Sequence, residues 1–312
     1  MPPPESEGLD PVRSAASCVC LPGGELGVAL SGGGARGLAQ LGVLKVLDRS
    51  GVGVSYVSGT SAGAIVGAAY VAFGNAADAE RCLLRYLQSE ETGFTAAALP
   101  RAPERGLART FSTFRDLWRA ARPHGTATRS RALRDALTNI LGDRSFADLR
   151  TPFATTALDL RSGRRLIFAA GSLVDAVYAS AAVPGMFEPL VLDDHVLVDG
   201  GWAEPVPVET CHHLGAIHVI AVALPRDDPF TPDTYQIASV LRADALARNL
   251  LEEEQLRRAD FVVDVETPAR GVTDFSDPEG LIAAGERAAE QVIDGVRAVV
   301  DRHRSLFVRA RG

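Results

Sequence analysis

Two strand-to-helix transitions, each made through a glycine-rich turn, follow one another near the start of this chain, and they restrict its fold more than any other feature. Residues 25–31 read as a short buried strand, Ser31-Gly32-Gly33-Gly34-Ala35-Arg36-Gly37 as a tight loop, and 38–47 as a helix by apolar spacing. The pattern then repeats: Val54, Tyr56 and Val57 suggest a strand, 59–63 a turn, and 64–70 a helix of small residues. Two such units in succession require a parallel sheet with right-handed crossovers, hence an α/β fold.

The later segments extend this reading. Residues 152–160 and 165–168 flank Arg161-Ser162-Gly163, which predicts a hairpin. The β-branched runs 217–224 and 261–265 predict further core strands, and helices are expected over 76–87, 172–182, 237–258 and 281–302. Residues 85–131 lack clear periodicity apart from 111–121, and no repeat of 20 to 50 residues is present. A single domain over 25–305 is expected, between a solvated tail at 1–24 and a short tail at 306–312.

Hydrophobic residues make up 46% and charged residues 23% of the 312, which suffices for a substantial core. The longest apolar run, 62–73, is too short to cross a bilayer, and the proline-bearing start lacks the layout of a secretory signal. With no export signal, Cys18, Cys20, Cys82 and Cys211 are expected to be reduced thiols in the cytoplasm, and their spacing provides no metal-ligand set. The net charge of −7 disfavours nucleic-acid binding through a general basic surface. The charge is uneven, because residues 101–134 carry nine arginines against two acidic residues. Within that stretch, Phe111, Phe114, Leu117, Trp118 and Ala121 fall at helical spacing with Arg115, Arg119 and Arg122 on the other face. Such a segment suits peripheral contact with an anionic inner membrane face, or an ordinary helix packing its apolar stripe on the core.

Three motifs bear on chemistry. Gly59-Thr60-Ser61-Ala62-Gly63 is a G-x-S-x-G sequence between a strand and a helix, the setting in which a serine is presented at the apex of a sharp turn. The loop at 31–37 leaves backbone N–H groups free to face an anion. Its Gly32, Gly34 and Gly37 also fit a dinucleotide fingerprint, but no Asp or Glu occurs between Asp48 and Asp78 to hold a ribose, and no Gly-Lys-Ser/Thr ending makes it a P-loop. Asp199-Gly200-Gly201 follows the apolar stretch Val196-Leu197-Val198, so a carboxylate at a strand end lies beside glycines that allow close backbone approach. Taken alone, that segment reads more readily as an acidic turn.

In this order the motifs resemble the patatin-like phospholipase family, whose pattern is a G-G-G-x-R-G loop, a G-x-S-x-G elbow and a D-G-G/A segment. Similar wording at 157–163, 180–187 and 275–285 extends the resemblance over about 25–300. It implies a three-layer fold with a central, mostly parallel sheet flanked by helices. It further implies Ser61 as nucleophile, Asp199 as its only side-chain partner, and backbone N–H groups at Gly33, Gly34, Ala35 and Arg36 as the oxyanion hole. Gly32, Gly37, Gly59, Gly63, Gly200 and Gly201 would shape these turns. Phospholipid or lysophospholipid acyl esters are the implied substrates, with no cofactor or metal. Two rivals are weighed against this. Ser61, Asp199 and one of His212, His213 or His218 satisfy the chain order of an ordinary α/β-hydrolase triad, although the position of the glycine loop favours the Ser-Asp pair. A non-catalytic lipid-binding regulator is the other, disfavoured by the presence of Ser61, Asp199 and the whole loop.

Overall fold

The computed structural model describes residues 26–88, 123–225, 237–267 and 271–310. The expected tail at 1–24, the segment 111–121, Cys18 and Cys20 lie outside the described residues. The fold is α/β, with a mostly parallel central sheet flanked by helices. The strands are β1 (Leu26–Leu30), β2 (Tyr56–Gly59), β3 (Phe153–Asp159), β4 (Arg165–Phe168), β5 (Leu190–Leu192), β6 (His195–Asp199), β7 (His218–Ala223) and β8 (Phe261–Asp264). They lie in the order β5-β6-β3-β2-β1-β7-β8, with β4 paired to β3. The helices are α1 (Leu38–Arg49), α2 (Ala62–Phe73), α3 (Ala76–Gln88), α4 (Pro123–Leu141), α5 (Leu173–Ala181), α6 (Val208–His213), α7 (Ile237–Leu256) and α8 (Pro278–Ala310).

Alternation along the strands sorts side chains into two cores, one on each face of the sheet. Val28 and Leu30 of β1 and Ile220 and Val222 of β7 enter the larger core, together with Leu41 and Leu44 of α1, Val66 of α2 and Leu137 of α4. Ala29, Val219 and Ala221 face the smaller core, which α6 closes with Val208 and Cys211.

The connections that position the site occur at β3. Its residues 153–155 pair in parallel with β2, whereas 157–159 pair antiparallel with β6. Since β4 occupies the other edge through 155–158, β2 and β6 share one edge of β3 and run toward each other. Their carboxyl ends therefore meet at Thr156. β2 leads into the elbow that carries Ser61, and β6 ends at Asp199.

Several sequence expectations need adjustment. The helix expected over 281–302 runs from Pro278 to Ala310, so residues 306–310, expected as tail, continue it. Helix α4 begins inside the stretch that reads as aperiodic, because its buried stripe Leu133, Ala136, Leu137 and Ile140 begins only after most of the arginines. The three-residue β5, with Val191 and Leu192 exposed, carries too weak a pattern to read in advance. Among the described residues, no helix is long and apolar enough to cross a membrane.

Candidate active site

Ser61 sits at the junction of β2 and α2 with φ 54° and ψ −119°, a backbone conformation that costs a non-glycine residue on the order of 1–3 kcal/mol. The flanking glycines explain how so sharp a turn closes. A Cβ on Gly63 would stand 2.2 Å from Leu30 O, and one on Gly59 2.4 Å from Gly63 O, so the helix start packs directly on two strand ends. Thr60 fixes the turn from below: its amide donates to Leu30 O at 3.1 Å and its hydroxyl to Glu204 O at 2.8 Å. With that proton committed, the 2.9 Å contact between the Thr60 and Thr156 hydroxyls is a bond donated by Thr156. The Ser61 amide donates to Ser180 Oγ of α5 at 3.0 Å.

Asp199 ends β6, and its amide donates to Ala182 O at 3.0 Å. Its carboxylate accepts at 2.7 Å from the Gly201 amide and lies beside the Ser61 hydroxyl, which favours its ionised form. The side chain is buried, and that burial pushes its pKa up to about 6, partly opposed by the nearby Ser61 hydroxyl, the Gly201 bond and the positive charge of Arg248. Ser61 and Asp199, far apart in the sequence, thus stand side by side on one cavity.

The glycine loop borders the same space. A Cβ on Gly32 would lie 3.5 Å from Ser61 Cβ. Its amide, however, donates to Pro205 O at 3.0 Å, and the Ala35 amide donates to Val272 O at 2.7 Å. Ala35, expected in the oxyanion hole, therefore has its N–H engaged elsewhere. The amides of Gly33 and Gly34 find no acceptor among the described residues, and neither does that of Ala62 at the first position of α2. Arg36 is buried and donates through Nη1 to Pro225 O, tying the loop to the chain just beyond β7. Gly37 packs against Ala62, where an added Cβ would stand 2.5 Å from the alanine Cβ.

These groups line one cavity of about 440 Å³. One part of its wall is apolar, with Ile65 and Val66 of α2, Leu83 and Leu87 of α3, and Leu133 and Leu137 of α4. Another part is polar, formed by Trp202 and by Arg248, Asn249 and Glu252 of α7. None of the four described histidine side chains lines it. The Nδ1 atoms of His195 and His218 contact Asp159 and Asp260, while those of His212 and His213 contact the carbonyls of Ala216 and Glu209.

Sequence reasoning missed several contributors. Ser180 Oγ accepts from the Ser61 amide, and the Ala62 amide follows Ser61 directly at the start of α2. The buried Glu204 carboxylate meets Arg165 Nη1 at 2.9 Å below the elbow, and Arg248 borders the cavity. A local signal existed only for Ala62, by its place directly after the serine. The others depend on pairings between distant segments.

Neuropathy target esterase sws of Drosophila melanogaster is 30% identical over 210 residues, covering 67% of this chain and 13% of that protein. An NTE family protein of Mycobacterium bovis is 30% identical over 204 residues, covering 63% of this chain and 48% of its own length. The chain thus spans less than half the length of these relatives. The crystal structure of VipD from Legionella pneumophila shares the fold at a TM-score of 0.51 and 12% identity, over 88% of this chain and 67% of that one. The family model for patatin-like phospholipase matches residues 28–212, which contain the glycine loop, the elbow and the Asp-Gly-Gly turn. More than half of the chain matches, and it belongs to the patatin-like phospholipase family.

Proposed function

We propose that this chain is a serine acyl hydrolase that cleaves the carboxylic ester of a phospholipid or lysophospholipid through Ser61 and Asp199. The observation that carries the reading is the Ser61 hydroxyl placed beside a buried carboxylate and unengaged backbone amides, all on one partly apolar cavity. Family membership supports lipid ester chemistry.

In this mechanism Asp199 takes the Ser61 proton as Oγ attacks the ester carbonyl, and the proton then passes to the departing alcohol. The acyl-enzyme is opened by a water whose proton Asp199 accepts, and return of that proton to Ser61 restores the starting state. An ordinary aspartate is a weak base for such work, and burial strengthens this one toward about 6. Negative charge on the tetrahedral oxygen is met by the amides of Gly33, Gly34 and Ala62, a preorganised donor of this kind contributing about 3 kcal/mol. The apolar wall from α2, α3 and α4 takes the acyl chain. A cytoplasmic location with peripheral contact at the inner membrane face belongs to the same proposal, supported by the free thiols of Cys82 and Cys211.

The test is covalent labelling with an alkyl fluorophosphonate, read by intact mass. One adduct is expected on the wild-type chain and none on folded Ser61→Ala. An unlabelled wild type, or equal labelling of Ser61→Ala, overturns the assignment and favours a non-catalytic lipid-binding role.

A further inference from the structure

The polar part of the cavity wall takes part in no bond-making or proton-transfer step of the mechanism above, and its organisation is specific. Trp202, three residues after Asp199, donates its indole N–H to Asp244 Oδ1 at 2.9 Å. The other oxygen of Asp244 accepts from Arg248 Nε at 3.0 Å, one helical turn along α7. The Arg248 guanidinium then lies over the Trp202 ring, 4.7 Å from its centroid. Two side chains thus fix one guanidinium plane on the wall shared with Ser61. Asp244 uses only Nε, and the two terminal nitrogens find no acceptor among the described residues. A forked pair of N–H donors held in a fixed plane matches the oxygens of a phosphodiester.

We propose that Arg248, held by Asp244 and Trp202, is the subsite for the phosphodiester of an amphiphilic substrate whose acyl chain enters the apolar wall. This rests on the hydrolase reading for its direction of binding, with the ester carbonyl at Ser61 lying between the two parts of the cavity. Asp244 and Glu252 also lie on this side, so the local charge is not strongly positive, which suits a monoanionic diester better than a dianionic phosphate. The outer flank of α7 exposes Val240, Leu246 and Leu250, so the helix that carries the arginine also offers apolar surface at an interface.

Binding to the full chain carrying Ser61→Ala separates this subsite from catalysis. Dodecylphosphocholine, dodecyl maltoside and inorganic phosphate are each titrated by calorimetry, the amphiphiles below their micellar concentrations. Dodecylphosphocholine is expected to lose about tenfold or more in affinity when Arg248→Met is added, as removal of a charge-assisted phosphate contact requires. Dodecyl maltoside should change by less than about twofold, and Arg248→Lys should recover only part of the loss, since an ammonium lacks the fork. Equal losses for both amphiphiles would make Arg248 structural, no loss for either would remove it from the site, and phosphate binding as tightly as the amphiphile would make it a free-anion site. Each of these overturns the proposal. Fluorophosphonate labelling of Ser61 judges the hydrolase reading independently, so a failure of either is visible without the other.

Discussion

Gly200 lies against Thr156 with no room for a side chain: a Cβ placed on it would stand 2.3 Å from the Thr156 carbonyl oxygen and 2.4 Å from its hydroxyl. The same Thr156 hydroxyl bonds to Thr60 beside the nucleophile. One residue of β3 therefore touches both the turn that follows the proposed base and the turn that precedes the proposed nucleophile.

Gly200→Ala is expected to force these turns apart, at an overpacking cost of about 1–3 kcal/mol. Thermal unfolding should report the lower stability, and kcat/KM for a p-nitrophenyl acyl ester should fall by more than about tenfold, because misplacement of reacting groups costs rate steeply. Wild-type values of both quantities would show that the contact is not limiting.

The raised pKa of Asp199 has a consequence for stability whose sign is fixed. Its ordinary value is 3.8 and its folded value about 6, so the folded chain holds the proton over a range where the unfolded chain has released it. The resulting stabilisation is fully present below 3.8 and is lost as pH rises through about 6. Asp199→Asn carries no such charge. Urea unfolding should find it more stable than wild type by on the order of 3 kcal/mol at about pH 8, with the difference closing by about pH 4. A less stable Asp199→Asn protein at the higher pH would contradict the burial argument.

Activity follows the opposite course, because only the ionised carboxylate accepts a proton. The acylation rate should rise through about pH 6 and then level off, following Asp199. Asp199→Asn should abolish the burst with a chromogenic ester. His195→Ala, His212→Ala, His213→Ala and His218→Ala should each retain it, since these imidazoles contact groups away from the cavity. A folded histidine variant losing about a thousandfold would replace the Ser-Asp pair with a triad.

The positive φ of Ser61 gives a further expectation. Ser61→Ala keeps the Cβ and the strain, whereas Ser61→Gly removes both. Both variants should be inactive, and Ser61→Gly should be the more stable by about 1 kcal/mol in thermal unfolding. Equal stability would mean that the elbow stores no backbone strain.

How much of this was legible in the sequence depended on range. The elbow and the glycine loop could be read because strand, turn and helix succeed one another within a few residues, and the hairpin turn at Gly163, with φ 69°, was read for the same reason. The meeting of β2 with β6 left no local trace, since it is created by a third strand that pairs with both. The engagement of the Ala35 amide by Val272 was equally hidden, because its acceptor lies far along the chain. The arginines of 101–134 masked the start of α4, whose apolar stripe emerges only at Leu133. Arg248 gave no signal in a helix whose exposed apolar residues blur any amphipathic pattern.

The end-on meeting of β2 and β6 makes the Ser61–Asp199 spacing a property of one short stretch of β3, independent of the length of chain that joins them. Insertions between α3 and α4, or a cut and rejoining of the termini at an exposed turn such as 161–163, would leave the spacing untouched as long as β3 keeps its register. This architecture therefore frees its connecting segments to diverge, lengthen or acquire partners. A one-residue slip in β3, by contrast, would displace Ser61 and Asp199 together.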